Sequence, residues 1–296
     1  MPALPAKMRA DMTFRRCLGL AAGVSVLALA AIVVFLLTQA LPILSHVSLS
    51  DFLFSTEWYP TDDPPVFGIG ALIIGSLACA ALTTVIAVPA GVLTACAIHA
   101  GMSPACKRIV KPVIELMAAL PSVVIGFIGM IILAPWLQDV FGVASGLNLL
   151  NAAVMLAFMC VPTIASISED ALRNVPAGIR EASLALGATR WETLVKVELR
   201  WALGGIATAV MLGISRVIGE TMVVLMVAGG AAIIPESIFD PVRPMTSSIA
   251  AEMAEAAVGG EHYHALYMTG LVLFLITFVF NLCAWLAARR FGIGNK

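Results

Sequence analysis

Two ionisable side chains stand four residues apart inside a long apolar stretch: Arg216 and Glu220, in the run Arg216-Val217-Ile218-Gly219-Glu220-Thr221-Met222. A charge at membrane depth is expensive, about 2.5 to 3.5 kcal/mol on insertion scales, and such residues are usually functional. Arginine has a specific chemistry to offer there. Its planar fork gives two parallel hydrogen bonds to an oxyanion while its charge offsets the anion's lost hydration. On one continuous helix at about 100° per residue, a spacing of four sets the two side chains within about 40° of each other. They therefore either pair internally and fix helix packing, or they line a path on which Glu220, competing for Arg216, keeps anion binding weak enough for release. Pro121 and Pro162 interrupt two further apolar runs, each removing a backbone hydrogen bond and freeing a carbonyl. Kinks are expected at both, where Ser122, Gly126 and Thr163 either shape a cavity or serve packing. Arg216, Glu220, Thr221, Pro121 and Ser122 are the candidate path residues.

Other reactive groups are sparse. Arg243 is the single base among ten acids on the segments assigned below to the outer face, which makes it an anion-steering residue or a partner for Asp240, the partner reading being favoured. His262 and His264 form a His-x-His pair with no third ligand in sight, so no metal site is expected. Six cysteines lie in or beside apolar stretches with no Cys-x-x-Cys pair, which indicates packing rather than disulfides or zinc. Glu115 needs no special role. No GxxxxGK[ST] run occurs, so nucleotide hydrolysis, if it powers this protein, comes from another chain. No set of nucleophile, base and metal ligands converges near an interface, which argues against an integral-membrane enzyme.

The elements that hold these residues are membrane spans. With 60% hydrophobic and 12% charged residues and a mean hydropathy of +1.00, the chain lies far from the roughly 25% charge of a soluble domain. Six runs reach the roughly 20 apolar residues of a spanning helix: 17 to 41, 67 to 98, 112 to 137, 147 to 167, 202 to 229 and 265 to 288. The first exceeds the apolar core of a signal peptide and reads as an uncleaved helix. Lys and Arg mark cytoplasmic segments. They gather in Lys7 to Arg16, in Lys107, Arg108 and Lys111, in Arg173 to Arg200, and in Arg289, Arg290 and Lys296. Both termini are thus expected in the cytoplasm. The fold class is all-α integral membrane, with a cytoplasmic segment 1–16, a first helix and outer loop 17–65, a five-helix core 66–288 and a tail 289–296.

Residues 168–200 form the longest cytoplasmic segment and read as two short helices. Asn174-Val175-Pro176 starts the first, and Gly187 follows its end. Thr189 with Glu192 fits a capping box for the second, behind which Trp191, Leu194, Val195 and Leu199 recur at helical spacing. Such a pair lies on the membrane as an interfacial helix or docks a partner.

The spacing Glu181-Ala182-Ser183, three residues, Gly187, nine residues, Val197-Glu198-Leu199 resembles the EAA loop of ABC importer permeases. Ser183 replaces an Ala of that pattern, and Arg200 stands where the family has Pro, so the second helix is expected to run on into span five. The resemblance implies a type I six-helix permease fold and a coupling helix that docks on an ATPase through Glu181, Ala182, Ser183, Gly187, Trp191 and Leu194, with Arg190 adding charge at the rim. Ala119 to Gly126, Val161 to Ile164 with Ser168 to Leu172, Arg216 to Met222 and Phe239 to Thr246 resemble the phosphate importer permeases, and among them the PstC type. That implies a sister permease of the PstA type, two ATPase subunits carrying ATP and Mg, an extracytoplasmic phosphate-binding protein, and phosphate as cargo. It also implies a bacterial or archaeal cytoplasmic membrane, with no cofactor on this chain and no nucleic-acid partner. The alternatives are another oxyanion, molybdate or sulfate, and an ion-coupled secondary transporter in which Glu220 carries protons.

Overall fold

A computed structural model describes residues 6–290. Lys296 lies outside the described residues, as do the side chains of Lys7, Arg9, Arg16, Arg289 and Arg290, so the terminal part of the charge asymmetry rests on sequence. The described chain has six helices long and apolar enough to cross a membrane: Cys17–Ser45, Gly70–Gly101, Ser122–Phe141, Leu149–Arg173, Arg190–Ile218 and Glu261–Cys283.

The first, α1 (Ala6–Ala40), continues into a 3-10 turn, Leu41–Ser45. Leu18, Leu20, Leu27 and Ile32 are exposed along it, which suits contact with lipid. On the outer side a short helix, α2 (Leu49–Phe54), precedes a two-stranded hairpin of β1 (Trp58–Tyr59) and β2 (Val66–Phe67), paired antiparallel with Trp58 opposite Phe67. Their apolar side chains close a small outer core with Ile43, Phe52, Ile69 and Leu266.

The second span is α3 (Gly70–Cys96), which ends in a π turn, Ala97–Gly101. The amphipathic α4 (Pro104–Ala118) follows, and then α5 (Ser122–Ile128), a π turn Gly129–Leu133 and α6 (Ala134–Phe141). The expected single helix over 112 to 137 is therefore two separate pieces. Proline lacks an N–H, its ring clashes with the preceding turn, and it biases Leu120 away from helical geometry. Pro121 accordingly sits extended at φ −61°, ψ 131°, just before α5. The fourth span, α7 (Leu149–Arg173), runs through Pro162 without the same break. Across the short α8 (Ala177–Ala185) the chain reaches α9 (Arg190–Thr193), a π turn Leu194–Glu198 and α10 (Leu199–Ile218), continuous as expected from Arg200. Here a second correction arises. The fifth span does not reach 229, because α10 ends at Gly219 and a short α11 (Met222–Val227) restarts after Thr221. An outer loop, α12 (Met245–Glu252) and the long α13 (Glu261–Arg290) complete the chain, with α1 packed along α13.

At the centre, α7 packs between α3 and α10. In lipid no hydrophobic force drives helices together, so close packing of small residues does it. A methyl group placed on Gly91 of α3 would lie 2.7 Å from Ile164 Cγ2, and one on Gly213 of α10 would lie 2.7 Å from Cys160 Sγ. Both partners are on α7, so glycine notches on either side let the three helices interlock.

Candidate functional site

The cytoplasmic helix pair has the local structure its residues dictate. At the end of α8 the Gly187 N–H donates to Leu184 O (3.0 Å) and the Ala188 N–H to Ser183 O (3.3 Å), with Gly187 at φ +86°. This is a Schellman cap, which places glycine in the left-handed region that a Cβ disfavours. At the start of α9, Thr189 Oγ1 accepts from Glu192 N (3.2 Å) while Thr189 N donates to Glu192 Oε2 (3.0 Å), completing the capping box. The Ser183 and Thr193 hydroxyls meet at 2.9 Å and tie the two helices together.

Glu181, Ala182, Gly187 and Arg190 are exposed at this end, and space around Gly187 is open. Leu194 is not available to a partner. It is 1% exposed and packs inward with Ala95, Cys96, Leu172 and Ala202, because the turn that begins at Leu194 faces the bundle. Trp191 is 66% exposed but lines a groove with Leu93, Cys96 and Ala97 at the end of α3 rather than standing at the tip. The tip carries Leu186, 89% exposed immediately before Gly187. Its place at the end of the apolar run before a cap glycine was the signal that could have found it.

Sequence reading also missed what anchors the pair. Glu198, 4% exposed, sits in the π turn between α9 and α10. Its carboxylate accepts from Arg180 Nε of α8 and lies 2.9 Å from His99 Nε2 at the end of α3. Arg180 Nη2 is 3.0 Å from the same imidazole nitrogen, which with a single proton serves either Arg180 as acceptor or Glu198 as donor. Three elements distant in sequence are thus joined at the root of α8. Nearby, Lys111 of α4 donates to Glu169 (2.6 Å) and Asp170 (2.8 Å) of α7. Burial opposes the Lys111 ammonium, but the bonds to Asp170 and Glu169 prevail and its pKa is raised.

Deeper in the bundle, the two helix breaks lie together. Arg216, near the end of α10, directs both Nη groups at Ala118 O (3.5 Å each), the last residue of α4. A helix end interrupted by Pro121 leaves such carbonyls without intrahelical donors, and a cation complements them. Beyond the breaks, α5 packs on α11, with Gly126 against Met226. Arg216 and Glu220 form no ion pair, contrary to the pairing their spacing allows, because Gly219 ends the helix between them. Glu220 instead offers its backbone carbonyl to Thr246 Oγ1 (2.7 Å). Thr221 opens α11 without capping it, Ser122 opens α5, and Glu115 is exposed on α4. Arg216, Thr221, Pro121, Ser122 and Glu220 are thereby gathered at one pair of breaks.

On the outer face Arg243 pairs with Glu252, not with Asp240. Its Nη1 donates to Glu252 Oε1 and its Nε to Gly230 O (2.8 Å). Asp240 is occupied with the backbone N–H groups of Glu236 and Ser237, both at 2.8 Å. Glu252 also accepts from Trp58 Nε1 (3.0 Å) and meets His262 Nε2 (2.8 Å), so one carboxylate joins the hairpin, the outer loop, α12 and α13. His264 turns elsewhere, to Gln39 O (2.7 Å). Replacing Glu252 by alanine is expected to destabilise the protein by about 2 kcal/mol, since Arg243 keeps one carbonyl partner but loses its counter-charge. Thermal unfolding followed by Trp fluorescence checks this.

The comparisons with known proteins agree with this architecture. The family described as "Binding-protein-dependent transport system inner membrane component" matches residues 87–292. The chain is 39% identical over 263 residues to the "Probable ABC transporter permease protein YqgH" of Bacillus subtilis, covering 88% of this chain and 85% of that one. It is 36% identical over 274 residues to the "Phosphate transport system permease protein PstC" of Pasteurella multocida, covering 84% and 85%. Among solved structures, a chain of a bacterial alginate ABC transporter in complex with an alginate-pentasaccharide-bound periplasmic protein superposes with a TM-score of 0.67 at 14% identity, over 96% of each chain. A chain of the inward-facing MetNI methionine ABC transporter gives 0.56 at 20% identity, over 76% of this chain and 94% of that one. At these identities the likeness is one of fold.

Proposed function

The chain belongs to the binding-protein-dependent transport-system inner-membrane components, the membrane-spanning subunits of ABC importers, and from this premise we propose that it is the PstC-type permease of an importer for inorganic phosphate. The observation that carries the reading is the identity, 30% or more, to relatives named PstC over most of the chain. Its partners are an ATPase and a substrate-binding protein. In the finer reading these are two ATPase subunits that bind ATP and Mg, an extracytoplasmic phosphate-binding protein and a PstA-type sister permease. The chain itself carries no cofactor, and the setting is the bacterial cytoplasmic membrane. Ten acids against Arg243 on the outer segments repel free phosphate at long range, which fits delivery by a binding protein. Exposed Leu186, with Glu181 and Arg190 beside it, supplies the docking surface for the ATPase.

Uptake of radiolabelled phosphate into proteoliposomes containing the full complex, with ATP and binding protein, tests the reading. ATP-dependent uptake is expected, with unlabelled phosphate competing and molybdate and sulfate not competing. Proton-driven, ATP-independent uptake by this chain alone would refute it.

Arg216 at the paired breaks is the phosphate contact on the path. Among the described residues its guanidinium holds one carbonyl, at 3.5 Å, and it is exposed in the isolated chain, so it has donors left for an anion. Loss of one charge-assisted contact lowers uptake by about tenfold or more. Arg216→Ala is expected to show that loss, and Arg216→Lys most of it, because an ammonium lacks the fork. Full uptake by both variants would exclude direct contact.

A further inference from the structure

At the cytoplasmic end, the π turn after α3, the basic first half of α4, the end of α7 and the start of α8 border an open cavity of about 610 Å³. Lys107, Arg108, Lys111, Arg173 and Arg180 line it, against one lining carboxylate, Glu169. Local pairing accounts for only part of this charge. Lys111 is neutralised by Glu169 and Asp170, and Arg180 by Glu198. Among the described residues Lys107 donates to the His99 carbonyl alone. Arg108 and Arg173, both exposed, have no hydrogen-bond or ion-pair partner among the described residues. Lys107, Arg108 and Arg173, from two helices, face the concavity with no carboxylate paired to them among the described residues; five cations meet the three carboxylates Glu169, Asp170 and Glu198, which leaves a net charge of +2, and Ile98 and Val175 give apolar walls. Low-dielectric walls focus such a field on an anion. Two guanidiniums supply the paired donors that phosphoryl oxygens accept.

We propose that this cavity is a binding site for a phosphoryl-type oxyanion, separate from the breaks around Arg216. Two sources share that chemistry: free phosphate in the cytoplasm and the headgroup of an anionic phospholipid in the inner leaflet, for which basic pockets between spans are suited. The site touches the coupling machinery directly. An oxyanion seated there competes with Glu198 for Arg180, so occupancy bears on how α8 is held. The inference rests on the cytoplasmic placement of this end and not on which solute the importer carries, so its failure would leave the transport reading intact.

The test uses the assembled transporter in nanodiscs and the Arg108→Gln/Arg173→Gln variant, whose altered side chains are exposed and unpartnered, with co-purification of the ATPase as the check on assembly. Equilibrium binding of radiolabelled inorganic phosphate in neutral-lipid nanodiscs probes the free anion. Retention of cardiolipin on delipidation, read by native mass spectrometry, probes the headgroup. Wild type is expected to bind at least one probe, with affinity for that probe falling by about tenfold or more in the variant. Phosphate held at Arg216 or on the ATPase survives the double substitution, so only the fraction lost belongs to this cavity. Loss confined to phosphate assigns the free anion, and loss confined to cardiolipin assigns the lipid. Equal binding of both probes by variant and wild type, or binding of neither by wild type, would overturn the proposal.

Discussion

Gly187→Trp is expected to reduce ATP-driven uptake on the order of a hundredfold, within the range of coupling free energies between sites, while the chain still inserts and loses only about 1 to 2 kcal/mol of stability. The separation follows from the surroundings of Gly187. No atom lies within 4 Å of where its Cβ would be, so bulk there disturbs nothing inside the chain. The left-handed φ of +86° adds about 1 to 2 kcal/mol for any residue with a Cβ, paid locally at the end of α8. What changes is the exposed cytoplasmic surface beside Leu186, where an indole stands between the helix pair and its partner. Uptake and ATPase rate in the same proteoliposomes check this, with Gly187→Ala as the milder control that carries the backbone strain without the bulk. A tryptophan variant that transports at the wild-type rate would remove Gly187 from the docking surface.

The second large effect is on stability. Glu198→Ala is expected to lower it by about 3 kcal/mol, the lower end of the range for breaking a buried pair, because Arg180 is itself 39% exposed and can regain water. With the carboxylate gone, α8 loses its bond to the turn that begins span five, and His99 loses an anionic neighbour. Chemical denaturation of the detergent-solubilised chain measures the loss. Limited proteolysis between 174 and 190 separates a local release of α8 from global weakening. Glu198→Gln keeps one acceptor oxygen and should fall between alanine and wild type.

The sequence disclosed those features whose causes are local. Apolar length located six spans. Pro176, Gly187 and the Thr189 and Glu192 box marked the boundaries of the cytoplasmic helices, because caps are made by residues within four positions of each other. Arg200 in place of proline correctly indicated a helix running on into span five. Periodicity gave Leu194 a face but not the direction in which that face looks, and the structure turns it inward. The break at Gly219 was hidden because a glycine in an apolar run is tolerated in a helix, and what receives the freed Glu220 carbonyl is Thr246, 26 residues away. The root of α8 was beyond reach for the same reason. Arg180 and Glu198 lie 18 residues apart and His99 lies 99 from Glu198, so only the packed bundle brings them together. Glu252 took Arg243 from the nearer Asp240 because Asp240 was already capping its own turn.

The glycine notches at Gly91 and Gly213 have a mechanical consequence. Interlocked helices with no slack between them cannot slide past one another by small amounts; they move as one stiff lever. The fulcrum lies where α7 is gripped from both sides; the long arm runs along α10 from Gly213 back to its start at Leu199, beside the helix pair, and the short arm carries Arg216, about one turn beyond Gly213. A push of a few tenths of a turn at the cytoplasmic end is then delivered as a tilt at the far end instead of being absorbed on the way. The two interruptions at Pro121 and Gly219 mark where the stiffness stops, so α5 and α11, packed on each other, are not rigidly continuous with the lever.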